Sequence, residues 1–112
     1  MNAIKSILVN PNFSLLTNES TIENTFDHVY ATDLLSMVIR HGKDEPILIT
    51  QINADTTLGV SIMLNLPAII LSENRLFSKK LIDKANEEHI AVLTTKLTAA
   101  EVIIQLVRMN LL

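Results

Sequence analysis

The sequence has no cysteine, no tryptophan, only two glycines and 4% aromatic residues. Each shortage removes a class of chemistry. Without cysteine there is no disulfide framework and no thiolate to hold a soft metal or attack a substrate. With Gly42 and Gly59 as its only glycines, the chain cannot spell GxxxxGK[S/T], GxGxxG or GxSxG, the signatures of phosphate loops, dinucleotide folds and nucleophile elbows. Few aromatics leave no platform for stacking bases, and a net charge of −3 lacks the basic excess of nucleic-acid binders. No apolar run approaches a membrane span, and Asn10-Pro11 interrupts the N-terminal apolar stretch before it reaches signal-peptide length. A soluble cytoplasmic chain without nucleic-acid or membrane partners is the expectation.

What is present is aliphatic mass, in a chain that is 48% hydrophobic. One domain over residues 1–112 is expected, burying roughly two-thirds of its unfolded surface. From Tyr30 to Leu71 the pattern reads helix, strand, helix, strand. Thr32 or Asp33 opens a helix to about Arg40, and Gly42 follows where a left-handed residue is usual. Ile47–Thr50 is an apolar strand, and Asp55 or Thr56 caps a helix to about Leu64. Ala68–Leu71 is the next strand. Ser78 caps an amphipathic helix to Glu88, with Phe77, Leu81, Ile82 and Ala85 inward and the pairs Lys79–Asp83 and Lys84–Glu88 outward. A last strand spans Ile90–Leu93, and Thr98-Ala99-Ala100-Glu101 is a capping box opening a helix to about Asn110. Upstream, Asn2–Val9 reads as a short helix, with Phe13–Leu16 and Thr25–Tyr30 as strands. Short unalternating strands joined by helices define an α/β fold, a compact layered domain with a mostly parallel sheet flanked by helices.

Three helices are more apolar than one sheet can bury. Only Thr57, Ser61 and Asn65 are polar on the helix at Asp55, and only Glu101, Gln105 and Arg108 on the last one. A helix lying on a sheet needs an apolar arc of about 100°. Excess apolar surface marks an association face, so a homodimer is expected.

No nucleophile–base pair with an orienting partner is present, and His28, His41 and His89 are dispersed without metal-ligand spacing. Neither an enzyme, a metal nor a cofactor is expected. A small polar or anionic ligand has one candidate location, the loops after the strands. There Asn53, Asp55, Thr56 and Thr57 offer hydroxyls and amides, and Arg75, with Lys79 and Lys80, offers positive charge. Ordinary capping and turn chemistry accounts for the same residues without a ligand.

The segment YATDLLSMVIRHGKDEPILITQI resembles the bacterial DRTGG-domain group, and more closely the N-terminal domain of HPr kinase/phosphorylase and its small stand-alone relatives. Tyr30, Thr32, Asp33, Leu34, Leu35 and Ser36 match their Tyr-x-Ser/Thr-Asp-Leu-Leu-Ser opening. The resemblance continues through LPAIILSENR at Leu66–Arg75 to KANEEHIAVLTT at Lys84–Thr95. It implies a compact regulatory α/β domain, often dimeric, that is not a catalyst by itself and lacks the P-loop kinase domain. Ser72-Glu73-Asn74 stands where the namesake motif has Thr-Gly-Gly, Gln51-Ile52-Asn53 where it has Gly-Asp-Arg, and His89 where glycine is usual.

Overall fold

The computed structural model describes all 112 residues. Its elements in chain order are β1 (Asn2–Ala3), β2 (Phe13–Leu15), β3 (Thr25–Phe26), β4 (Val29–Ala31), α1 (Leu35–His41), β5 (Ile47–Thr50), α2 (Asp55–Met63), β6 (Ala68–Leu71), α3 (Lys79–Glu87), β7 (Ala91–Thr95) and α4 (Ala99–Arg108). Five strands form one sheet in the order β2-β7-β6-β5-β4. Strands β4 to β7 are parallel, in registers such as Val29↔Ile47, Leu48↔Ile69 and Ala68↔Ala91. β2 pairs with β7 antiparallel, and β1 and β3 make a separate two-residue ribbon.

The parallel strands advance in one direction across the sheet, so their right-handed crossovers all fall on the same face. On that face Leu48 packs with Val38 and Leu66, while Ile69, Leu71 and Val92 pack with Leu58, Phe77, Leu81 and Ala85. After β7 the chain crosses to the opposite face. There Ile47, Ile49, Ile70 and Leu93 meet Val102 and Leu106 of α4, together with Ile4, Ile7, Phe13 and Phe26 from the N-terminal segment. β5 and β6 are buried at every position, which explains apolar runs without alternation.

The local signals for α3 and α4 hold. The Ser78 hydroxyl accepts from the Leu81 amide, and the Thr98–Glu101 capping box is complete. Lys79 and Lys84 reach Asp83 at 2.9 Å and Glu88 at 3.1 Å. Other boundaries move. Asn2–Val9 is not a helix but a two-residue strand and one 3-10 turn at Ile4–Ser6. The Ile4 amide donates to the Asn24 carbonyl at 2.8 Å and both Ile4 and Ile7 are fully buried, so tertiary pairing overrides the helical spacing. Thr25–Tyr30 divides at Asp27-His28, because its first half pairs with β1 and its second with β5.

Gly42 is not left-handed, having φ −87°; the left-handed residue of that turn is Glu45, at φ 53°. Glycine at 42 leaves room for Leu64, whose terminal Cδ1 methyl would have to shift from a Cβ placed 2.7 Å away. Neither Asp55 nor Thr56 caps α2: Ala54 holds that position without a side-chain bond. The hydroxyl stripe of α2 also faces inward. Thr57 and Ser61 are fully buried, and Met63 is exposed. Ser61 Oγ donates to the Thr57 carbonyl and Thr57 Oγ1 to the Ile52 carbonyl, both at 2.8 Å, so the polar atoms are satisfied by nearby backbone and need no water. No helix is long and apolar enough to cross a membrane.

Candidate functional site at the carboxyl ends of the strands

Because β4 to β7 are parallel, the segments Thr32–Asp33, Gln51–Ala54, Ser72–Arg75 and Lys96–Thr98 emerge on one edge of the sheet. Asp33 organises the first two. Its carboxylate accepts from Thr50 Oγ1 at 2.7 Å, the Gln51 amide at 3.0 Å and Gln51 Nε2 at 3.0 Å. The helix start that Asp33 was expected to cap is displaced to Leu35, with no side-chain cap, because its oxygens serve β5 instead. Burial works to raise the Asp33 pKa, but the bonds from the Gln51 amide, the Gln51 side chain and Thr50 prevail and hold it below the usual carboxylate value.

Five residues were the sequence's ligand candidates, and the structure separates them. Asn53 Nδ2 donates to the Leu76 carbonyl at 2.9 Å, tying the loop after β5 to the loop after β6. Thr57 is buried, with its hydroxyl committed to Ile52. Asp55, Thr56 and Arg75 are exposed on the same edge. Asp55 also borders a surface groove of about 740 Å³ between α2 and α3, floored by Leu58, Gly59 and Ile62 and flanked by Lys79, Lys80 and Lys84 together with Asp83 and Glu87, so its charge is mixed.

Open α/β sheets bind ligands where adjacent strands send their connections to opposite faces. Here that point is not at β5. It lies between β6, which leads to α3 on one face, and β7, which leads to α4 on the other. The two loops are laced together across it. The Glu73 amide donates to the Leu97 carbonyl at 2.9 Å, the Asn74 amide to the Thr95 carbonyl at 2.8 Å, and Thr94 Oγ1 to the Arg75 carbonyl at 2.7 Å. Beside this lacing is a polar pocket of about 280 Å³ lined by Asn12, Ser14, Asn74, Thr94, Thr95 and Lys96. Local sequence patterns could not assemble it. Asn12 and Ser14 arrive only through the antiparallel pairing of β2 with β7, and Thr94 and Thr95 read as strand residues.

Glu73 and Asn74 have φ of 57° and 63°, and His89 has φ of 56°. These are three of the four positions where the resemblance expects glycine; the fourth, Gln51, is not left-handed. At Glu73, Asn74 and His89 the side chains tolerate the left-handed backbone at a cost, least for asparagine.

The histidines do not converge. His41 packs against Tyr30 with ring centroids 5.6 Å apart, while His28 and His89 are exposed elsewhere. No group of three or more histidine, aspartate or glutamate side chains is gathered as a metal set.

No family model and no curated protein matches the chain. Among solved structures it is similar to the CBS and DRTGG domains of the regulatory region of a Clostridium perfringens pyrophosphatase, complexed with the activator diadenosine tetraphosphate. The TM-score is 0.77 over 96% of this chain at 17% identity, and the chain spans 46% of that structure's length. At that identity the likeness speaks for fold. This chain has a DRTGG-like α/β fold, with a mostly parallel five-stranded sheet flanked by helices.

Proposed function

We propose that this chain is a regulatory domain, without catalysis of its own, that works as a homodimer. The observation that carries the reading is apolar surface turned to solvent. Ile104 and Val107 are exposed together on α4, and Leu34, Ile39 and Met63 are exposed singly around α1 and α2. Neighbouring apolar side chains turned to solvent on one helix are what self-association or a protein partner would cover. The likeness to a pyrophosphatase regulatory region supports a regulatory role, and the Tyr30–Ser36 motif supports kinship with stand-alone HPr kinase N-terminal domains of bacterial cytoplasm. Light scattering over a dilution series tests it. A dimer that dissociates on dilution is expected; a monomer at every concentration overturns the homodimer.

A second reading is a small-molecule sensor for an anionic or nucleotide-like ligand at the carboxyl ends of the strands. The polar pocket beside Lys96 favours it, as does the nucleotide activator of the Clostridium protein. Calorimetric titration with diadenosine tetraphosphate, ATP and inorganic phosphate tests it. Saturation at 100 times the dissociation constant adds about 2.7 kcal/mol of stability. Binding that Lys96→Ala abolishes would support the β6/β7 crevice, whereas loss in Arg75→Ala or Thr56→Ala alone would support the loops first suggested by sequence. Heat-silent titrations together with an unchanged melting temperature would remove the reading.

A further inference from the structure

We propose that the outward face of α4 is where two copies of this chain pair, antiparallel, about a two-fold axis. The proposal rests on the homodimer reading and names its interface. α4 buries Val102 and Leu106 against the sheet, so helical spacing turns Ala100, Ile104 and Val107 outward. Ile104 is 48% exposed and Val107 52%, and no segment of the chain covers them. The helix is fixed at its side rather than loosely laid. Asn10 Nδ2 donates to Gln105 Oε1 at 3.0 Å and to Met109 Sδ at 3.5 Å.

The charges select the partner and its direction. Glu101 and Arg108 are seven residues apart, which places them about 10.5 Å apart along the helix and on nearly the same flank. In an antiparallel pair the two-fold axis lies across the helices. Each flank then meets its own copy with the ends exchanged, so Glu101 of one copy faces Arg108 of the other, twice. In a parallel pair the axis runs along the helices and carries the flank to the opposite side, leaving all four groups unmatched. Both groups are available. Glu101 Oε1 is used by the Thr98 amide at 3.0 Å, which leaves Oε2 free. Arg108 is exposed and forms no ion pair within its own chain. Antiparallel pairing also sets each helix's positive end beside the other's negative end.

The other exposed apolar residues make no comparable surface. Leu34 precedes α1 and Ile39 lies five residues on, on a different side of that helix, Met63 is isolated at the end of α2, and Met1, Val9, Leu76 and Leu112 lie outside the α-helices. A helix of ten residues is about 15 Å long, so the α4 interface falls at the low end of specific contacts and its dimer separates on dilution.

Sedimentation equilibrium over a dilution series tests the proposal on wild type, Ile104→Glu, Arg108→Glu and the exchanged double variant Glu101→Arg/Arg108→Glu. Ile104 is already exposed, so its replacement leaves the fold intact, and circular dichroism at the lowest concentration checks each variant as a monomer. Expected are a monomeric Ile104→Glu, a dissociation constant raised about tenfold in Arg108→Glu, and recovery most of the way to wild type in the exchanged variant. A wild-type monomer overturns both this proposal and the homodimer reading. A dimer undisturbed by Ile104→Glu overturns the α4 face and leaves the homodimer reading standing. Glu101→Arg also removes the Glu101 arm of the capping box, so it is measured alone beside the others; an exchanged variant no tighter than the combined effects of the two single changes overturns the antiparallel pairing.

Discussion

Replacing Asp33 by alanine removes the carboxylate that ties the start of α1 to the end of β5. Three hydrogen bonds disappear, at 2.7, 3.0 and 3.0 Å. Hydrogen bonds to a charged group contribute roughly 1.5–3 kcal/mol each when buried. Asp33 itself is exposed, however, and water can replace it at both Gln51 donors, so most of that sum is screened away. Thr50 is the exception. It is 1% exposed, and its hydroxyl loses its acceptor while still accepting from the Ile52 amide at 3.1 Å. Leaving one buried donor unmatched costs about 1–3 kcal/mol, so a total near 2 kcal/mol is expected. For a domain of this size that lowers the melting temperature by roughly 8 °C. Thermal denaturation at fixed protein concentration measures it.

The pH dependence gives a second readout from the same pair of proteins. The folded pKa of Asp33 lies below its unfolded value. Its stabilisation is therefore complete above the unfolded pKa and is lost as pH falls through the folded one. The gap between wild type and Asp33→Ala should be constant near neutrality and narrow below about pH 4. An unchanged melting temperature, or a gap that widens in acid, would refute the assignment.

Gly59→Ala should stabilise the domain by about 0.5–1 kcal/mol, because glycine weakens a helix interior and nothing lies within 4 Å of the added Cβ; urea denaturation reads it. Glu73→Gly relieves a left-handed side chain at φ 57°, worth about 1–2 kcal/mol, against about 0.4–1 kcal/mol from a more flexible unfolded chain, so a small net gain is expected by the same assay. Leu106→Ala empties a fully buried site under α4 and should cost about 2–5 kcal/mol. Thr98→Ala opens one arm of the capping box, the bond from the Glu101 amide to the Thr98 hydroxyl, and leaves the bond from backbone 98 to Glu101 Oε1, with an expected loss of about 1 kcal/mol in equilibrium unfolding.

These effects fall partly where the sequence is legible and partly where it is not. β5 and β6 were readable at their boundaries, because strands buried on both faces leave an unmistakable apolar run between prolines and polar loops. α3 and α4 were readable because Ser78 and Thr98 act on neighbours three residues away. Thr57 and Ser61 are not legible as core residues because polarity along a helix signals an exposed stripe, whereas a small hydroxyl can bond nearby backbone and pack inward. Asp33 looked like a helix cap for the same local reason, although its partners lie on β5. The candidate site suffered most from long-range geometry. Asn53, Asp55, Thr56, Thr57 and Arg75 lie at the carboxyl ends of the strands, and the polar pocket lies beside the neighbouring pair, β6 and β7. Its walls, from Asn12 and Ser14 to Thr94 and Lys96, are about 80 residues apart in the chain, a separation no periodicity reports.

Apolar helix surface, above all on α4, is what would join two copies of this chain in the proposed homodimer. The mass of the wild-type protein in solution, measured by sedimentation equilibrium near neutral pH and moderate salt, decides whether it does. A species near twice the 12.5 kDa chain mass, dissociating on dilution, is predicted. A single species of chain mass at every concentration would contradict it.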